Sequence, residues 1–275
     1  MVPQWLRTLR VPAVRVLVGL ALIESAWLLY TPVRTKVLAL EDTPAARGQR
    51  LAENLGCFGC HGPGGNGGVH NVGSEEGEVP AFTEQTQMMY VKSIQDLRDY
   101  VLDGAPRRRL EDTAYQAKVE AAALRMPAYR TFLSADQVED LVAFLRASSG
   151  QILPESGLAA HGAELATQYG CFSCHGPLGA GGVKNPASFK GYIPAFCGDD
   201  FGELVRDDQE LTRWIGEGKI ARIAEHPIGR IFFNRQAIKM PAYRRFLSED
   251  DLAALVAYVR WICTEAPDPL RVAAR

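Results

Sequence analysis

Two stretches of the chain, CFGCHGPGGNGG from Cys57 and CFSCHGPLGAGG from Cys171, carry the same reactive side chains at the same spacing: two thiols and, directly after the second, an imidazole. A C-x-x-C pair serves three chemistries: half of a tetrahedral zinc site, a thioredoxin-like redox couple, or the attachment point of a c-type haem. The zinc reading has to combine distant halves, and the redox reading needs a βαβ setting that the sequence does not offer. The histidine fits the third chemistry, in which both thiols add to the haem vinyls and the imidazole binds iron. Two thioether links and one axial ligand must then reach a single macrocycle from about one turn of chain. Cys57, Cys60 and His61, with Cys171, Cys174 and His175, are the expected attachment residues of two covalently bound haem c groups.

The first cysteines are 171 − 57 = 114 residues apart, and much else recurs at that distance. Met126-Pro127-Ala128-Tyr129-Arg130 returns as Met240-Pro241-Ala242-Tyr243-Arg244, and Pro80-Ala81-Phe82 as Pro194-Ala195-Phe196. No insertion or deletion is needed between Gly48 and Ser149. The offset also sorts the candidates for a second axial ligand. Among Met88, Met89, Met126, Met240, His70, His161 and His226, only Met126 and Met240 obey it, each 65 residues after its own histidine. The three other histidines read as surface or loop residues. A methionine opposite histidine raises the reduction potential relative to two histidines and leaves iron with no open position.

These residues resemble the class I c-type cytochromes, twice over, across about 210 of the 275 residues. A short helix leading into C-x-x-C-H, a later P-x-F and an M-P-x-Y followed by a final helix is that family's order. The resemblance implies that Pro80 and Pro194 offer carbonyls to the outer ring nitrogens of His61 and His175. It also implies that Gly48 and Gly162 lie where the first and last helices of each domain cross. As a whole the chain resembles tandem dihaem cytochromes and the anchored dihaem subunits of respiratory or photosynthetic membrane complexes.

The elements that must position these residues read as helices. Leu51 and Leu55 sit four apart in 45–56, and Ile94, Leu97 and Val101 share a face of 92–103. Ser134 with Gln137 forms a capping box before the stripe Val138, Leu141, Val142, Leu145, and Ser248 precedes the matching stripe Leu252, Leu255, Val256, Val259. Glycine-rich runs at 62–68 and 176–182 break the chain after each haem histidine. No alternating strand pattern is visible. The expected fold is all-α: two tandem class I cytochrome c domains, 36–149 and 150–275, after an amino-terminal transmembrane helix within 1–35, with a short linker at 148–157.

That anchor rests on Arg7, Arg10 and Arg15 without an acid, followed by a run from Val16 to Tyr30 that is apolar apart from Glu24 and Ser25. Val11 to Val33 approaches the roughly 20 residues that cross a bilayer. The residues after the run lack a small-x-small cleavage site, which favours a retained anchor over a cleaved signal. Positive charge before the span puts the amino terminus in the cytoplasm and the haem domains on the periplasmic side of a bacterial membrane. Glu24, expensive in hydrocarbon, suggests contact with an integral membrane partner subunit, and the proline-bearing tail TEAPDPLRVAAR suits a segment lying on another surface.

The net charge of −2 sets nucleic acid aside. The expected function is electron transfer between redox proteins at the membrane, as a subunit of a respiratory or photosynthetic complex and without a catalytic site of its own. The competing reading is a dihaem enzyme of peroxidase or thiosulfate dehydrogenase type, which requires one iron to lack its methionine. Two differences between the repeats carry further expectations. Cys197 and Cys263, where the first repeat has Thr83 and Ser149, are expected to pair as a disulfide between the loop after Pro194 and the end of the last helix. Arg107-Arg108-Arg109 is either a solvated face or a docking patch for an acidic partner.

Overall fold

The protein is described by a computed structural model that covers residues 16–26, 28, 42–150 and 152–266. It divides into two compact units, Met1–Leu40 and Glu41–Arg275. In the first, residues 16–26 form helix α1 with exposed side chains. Among the described residues no helix is long and apolar enough to cross a membrane. Most of the expected anchor, and the tail at 267–275, lie outside the described residues.

In the second unit each repeat folds as a pair of crossing helices around a short cysteine-bearing helix. In the first repeat α2 (Pro44–Asn54) leads through a left-handed Gly56 into α3 (Cys57–His61). There follow α4 (Glu84–Tyr90), α5 (Ile94–Asp103), α6 (Arg107–Leu110), α7 (Thr113–Ala121) and α8 (Ala135–Ser148). The second repeat has α9 (Gly157–Gln168), α10 (Cys171–His175), α11 (Asp199–Leu204), α12 (Asp208–Glu217), α13 (Ala221–Ala224), α14 (Pro227–Arg235) and α15 (Glu249–Thr264).

The crossing of first and last helices is made possible by glycine. A Cβ on Gly48 would overlap the Asp140 carbonyl of α8, and one on Gly162 the Ala254 carbonyl of α15. Both positions therefore let helix backbones touch, as the family resemblance implies. Local signals start the helices as read from sequence. Ser134 and Gln137 make a reciprocal capping box at α8, and Ser248 with Asp251 does the same at α15, each such cap contributing about 1 kcal/mol. The stripes they introduce are buried: Val138, Leu141 and Val142 in the first domain, Leu252, Leu255, Val256 and Val259 in the second.

One departure from the all-helical expectation is a two-residue antiparallel pair, β1 (Val183–Lys184) with β2 (Tyr192–Ile193). Its counterpart in the first domain is a single bridge between His70 and Glu78. Neither is long enough to show alternation. Both close the loop between the haem histidine and the P-x-F proline.

The two repeats are packed together. Thr43 caps α2 by accepting from the Ala46 amide, and its hydroxyl also donates to the carbonyl of Ala180, in the loop just after His175. Small side chains make the approach close: Ala45, Ala46, Ala143 and Ala147 join one buried cluster with Leu178, Ala180 and Ile152. The 148–157 linker thus joins domains already held by a packed contact.

Candidate haem sites

Each cysteine-bearing helix ends on its histidine, and the following glycine turns the chain back so that the Gly67 amide reaches the His61 carbonyl at 2.8 Å and the Gly181 amide the His175 carbonyl at 2.7 Å. This turn aims the imidazole inward. His61 Nδ1 donates to the Pro80 carbonyl at 2.7 Å, which leaves Nε2 as the lone-pair nitrogen available to a metal. Phe82 covers the same ring at 4.5 Å between centroids. In the second domain Phe196 covers His175 at 4.7 Å. The Pro194 carbonyl acts on His175 in the same sense, but the contact falls outside hydrogen-bond geometry and the buried Nδ1 makes no good hydrogen bond. Burial holds both imidazoles neutral, lowering His61 against the opposing pull of Pro80 and bringing His175 to about 4. Neutral imidazole is the form that binds a metal.

The first thiol of each pair is tuned away from exchange chemistry. Burial raises Cys57 and pushes Cys171 up to about 11, the opposite of the depressed values that thioredoxin-like pairs use. Among the described residues no group of three or more His, Cys, Asp or Glu side chains is arranged to hold a metal ion, so the zinc reading has no second half.

A cavity of ≈ 770 Å³ in the second domain brings Cys171, Cys174, His175 and Met240 to one space with largely apolar walls, among them Phe201, Trp214, Ile215 and Val259. Its size is within the usual range for a bound cofactor. Two thiols, a neutral imidazole and a thioether converging on an apolar cavity fit a covalently attached haem. In the first domain Cys57, Phe58 and Phe82 pack with Leu51, Leu55 and Leu145 around Val101, Leu141 and Phe144.

The methionine loops are held in both domains by the same two devices. Helices α5 and α12 end in left-handed glycines, Gly104 and Gly218, where a Cβ would press on the carbonyls of Met126 and Met240. The second device was missed in reading the sequence. Asn71 accepts from the Leu124 amide at 2.8 Å and donates to its carbonyl at 3.0 Å; Asn185 does the same to Ile238 at 2.8 and 3.0 Å. Both asparagines are buried, and each grips the backbone two residues before its methionine. The signal was available, since 185 − 71 = 114.

The other candidates fall where expected. His70, His161 and His226 are exposed, His161 meeting Asp251 at 3.3 Å and His226 capping α14 through the Gly229 amide, although His226 also borders the cavity mouth. Met88 and Met89 are exposed at 71% and 58%.

The disulfide expectation is corrected. Cys197 and Cys263 do meet between the loop after Pro194 and the end of α15, but as separate thiols. They are hydrogen-bonded to one another, and Cys263 also donates to the Phe196 carbonyl at 3.2 Å. That mutual hydrogen bond, together with burial, raises the Cys263 pKa, so the proton stays on sulfur.

The arginine run is also resolved. Arg108 binds Asp96, matching Arg222 on Glu210 in the second domain, and is a repeated strut between helices. Arg109 lies between the rings of Tyr90 and Tyr115 at 5.0 and 5.2 Å, and Arg107 pairs with Glu111. Arg108 and Arg109 serve contacts within the domain, while Arg107 stays on the surface in an exposed pair.

The fold and its two sites define a tandem haem protein, and comparison agrees. The family model described as cytochrome c matches residues 45–149 and again 159–262. The chain belongs to the cytochrome c family and carries two covalently bound c-type haems. A comparison with curated proteins returned no match.

Proposed function

We propose that the chain is a membrane-anchored dihaem relay that moves electrons between a donor and an acceptor protein, as a subunit of a respiratory or photosynthetic complex. The observation that supports this reading is the repeated geometry: both domains carry a neutral histidine and a methionine loop gripped by a buried asparagine, and in the second domain His175 and Met240 line one cavity. In this reading Cys57, Cys60, Cys171 and Cys174 would hold the two haems through thioether links, and His61 with Met126 and His175 with Met240 would ligate the irons. The haems supply one-electron couples. The protein's part is to keep the imidazoles neutral, hold the thioethers in place and exclude water, so that oxidation and reduction need little rearrangement.

Localisation extends the proposal. The anchor at 1–35 would place the haem domains on the periplasmic side, with lipid around α1 and a partner subunit at Glu24. Co-purification of a partner with wild type but not with Glu24→Leu would support that contact; identical co-purification would remove it.

The central experiment is a redox titration of the purified protein followed by absorption, repeated with carbon monoxide. Two low-spin components that ignore carbon monoxide, with the sulfur-to-iron band present when oxidised, are the expected result. A component that binds carbon monoxide would mean an open iron and would transfer the assignment to the dihaem enzyme reading.

A further inference from the structure

The stretch 226–248 of the second domain contains Arg230, Arg235, Lys239, Arg244 and Arg245 and no acidic residue; Glu225 and Glu249 flank it. The matching stretch of the first domain, 112–134, sets Lys118, Arg125 and Arg130 against Asp112 and Glu120. There Lys118 is paired with Glu75 and Arg130 with Asp103. In the second domain all five cations are exposed, and only Arg244 is in an ion pair among the described residues, with Glu249. Arg245 lies over the ring of Phe246 at 4.8 Å. Exposed apolar side chains stand among the charges: Ile228, Ile231 and Phe246 at 58%, 52% and 58%. The inner side of the same stretch, through Phe232, Phe233, Ile238, Met240 and Tyr243, lines the cavity that holds Cys171, Cys174 and His175.

We propose that this surface is the docking face for an acidic electron-transfer protein, and that the second domain is the end of the relay that exchanges electrons with it. The proposal rests on the relay reading and deepens it. On a chain of net charge −2, a stretch of uncompensated cations stands out as a local positive field, which steers an anionic partner and sets its orientation. Apolar side chains spread singly among charges suit a transient interface. Anionic lipid would also answer to the charge. Continuity with the haem cavity favours a protein, because a partner seated there would be separated from the cavity by the same stretch of chain that lines it.

The test uses the full-length, haem-loaded, reduced protein and an acidic blue-copper protein as probe. The cupric probe takes one electron from the reduced protein and becomes cuprous, and stopped-flow absorption gives the second-order rate. The rate is expected to fall about tenfold from low to physiological salt. The double variant Arg230→Glu/Arg235→Glu is expected to lower the low-salt rate about tenfold and flatten its salt dependence, with an unchanged haem spectrum. It should also bind the zinc-substituted probe, which cannot accept an electron, more weakly than wild type does. Arg107→Glu, on the first domain, should behave as wild type. Should the double variant fail to load haem, Arg235→Glu alone carries the test with an effect of about threefold. Wild-type rates in the double variant would overturn the proposal, as would an equal loss from Arg107→Glu. Unchanged rates with lost binding to phosphatidylserine vesicles would assign the face to membrane instead. Carbon monoxide binding would count against the relay reading; salt-independent kinetics in a protein that ignores carbon monoxide would defeat the docking face alone.

Discussion

In the first domain the cysteine helix is backed by carbon alone: Phe58 meets Phe144 edge-on at 5.9 Å, and Phe82 meets Phe144 at 6.0 Å. The second domain keeps the geometry and adds a polar tie, because Tyr258 replaces Phe144. Its ring meets Phe172 at 6.1 Å while its hydroxyl donates to the buried Leu178 carbonyl at 3.1 Å. Leu178 stands in the loop whose next residues pack against Thr43 and Ala46 of the first domain. The second domain thus braces the loop that the interface uses, whereas the first contributes to that interface the small side chains of its crossing helices and the Thr43 hydroxyl. Two copies of one skeleton have divided the labour of joining them.

The strongest way to break this comparison is at the helix crossings. Gly162→Val should open the α9–α15 crossing and cost the second domain its haem, so that pyridine haemochrome assay reads one haem per chain. Gly48→Val should do more, lowering stability in both domains, because α2 carries Ala45 and Ala46 into the cluster that the second domain shares. Equal, strictly local losses from the two variants would mean that the domains fold independently.

A smaller, domain-specific effect is expected at the asparagines. Asn71→Ala and Asn185→Ala each leave a backbone amide and carbonyl without their partner, at a cost of about 2 to 5 kcal/mol. Each should remove about half of the sulfur-to-iron band in the oxidised spectrum, with the other half intact. Loss of the whole band from either variant would show that one methionine loop depends on the other domain.

The smallest effect separates the two repeated struts. The Arg222 hydrogen bond and the Arg206 amide lower Glu210 to about 2, opposed by burial. Burial pulls Asp96 upward, but Arg108 and the Lys92 amide leave it lowered overall. For a carboxylate depressed by folding, the stabilisation is complete above its unfolded range, near 4, and is lost as pH falls through the folded value. Thermal melts from pH 5 to 2 should therefore show a loss of stability that is reduced in Glu210→Gln. Parallel wild-type and variant curves would remove the strut from the acid response.

Much of this was legible because the repeat acts as an internal control. A residue type that returns after 114 positions is held by a shared requirement, which is how Met126 and Met240 were separated from Met88 and Met89. The same argument would have found Asn71 and Asn185, but a lone asparagine in a glycine-rich loop reads as a turn former until its backbone partner is seen. The disulfide expectation failed for a different reason. Sequence can place two cysteines in neighbouring elements, but whether they stay thiols depends on local acceptors, here the Phe196 carbonyl and each other.

By itself, then, the sequence determined the chemistry and the skeleton: thiol and imidazole spacing, helix stripes and caps are local, and local signals survive without a fold. Tertiary structure alone decided which charges remain free. Arg108 is consumed by Asp96 and Arg109 by two tyrosines, while Arg230, Arg235 and Lys239 find no acid within reach among the described residues. A charge run shows only how many cations there are, since their neutralisation depends on partners brought from elsewhere in the chain.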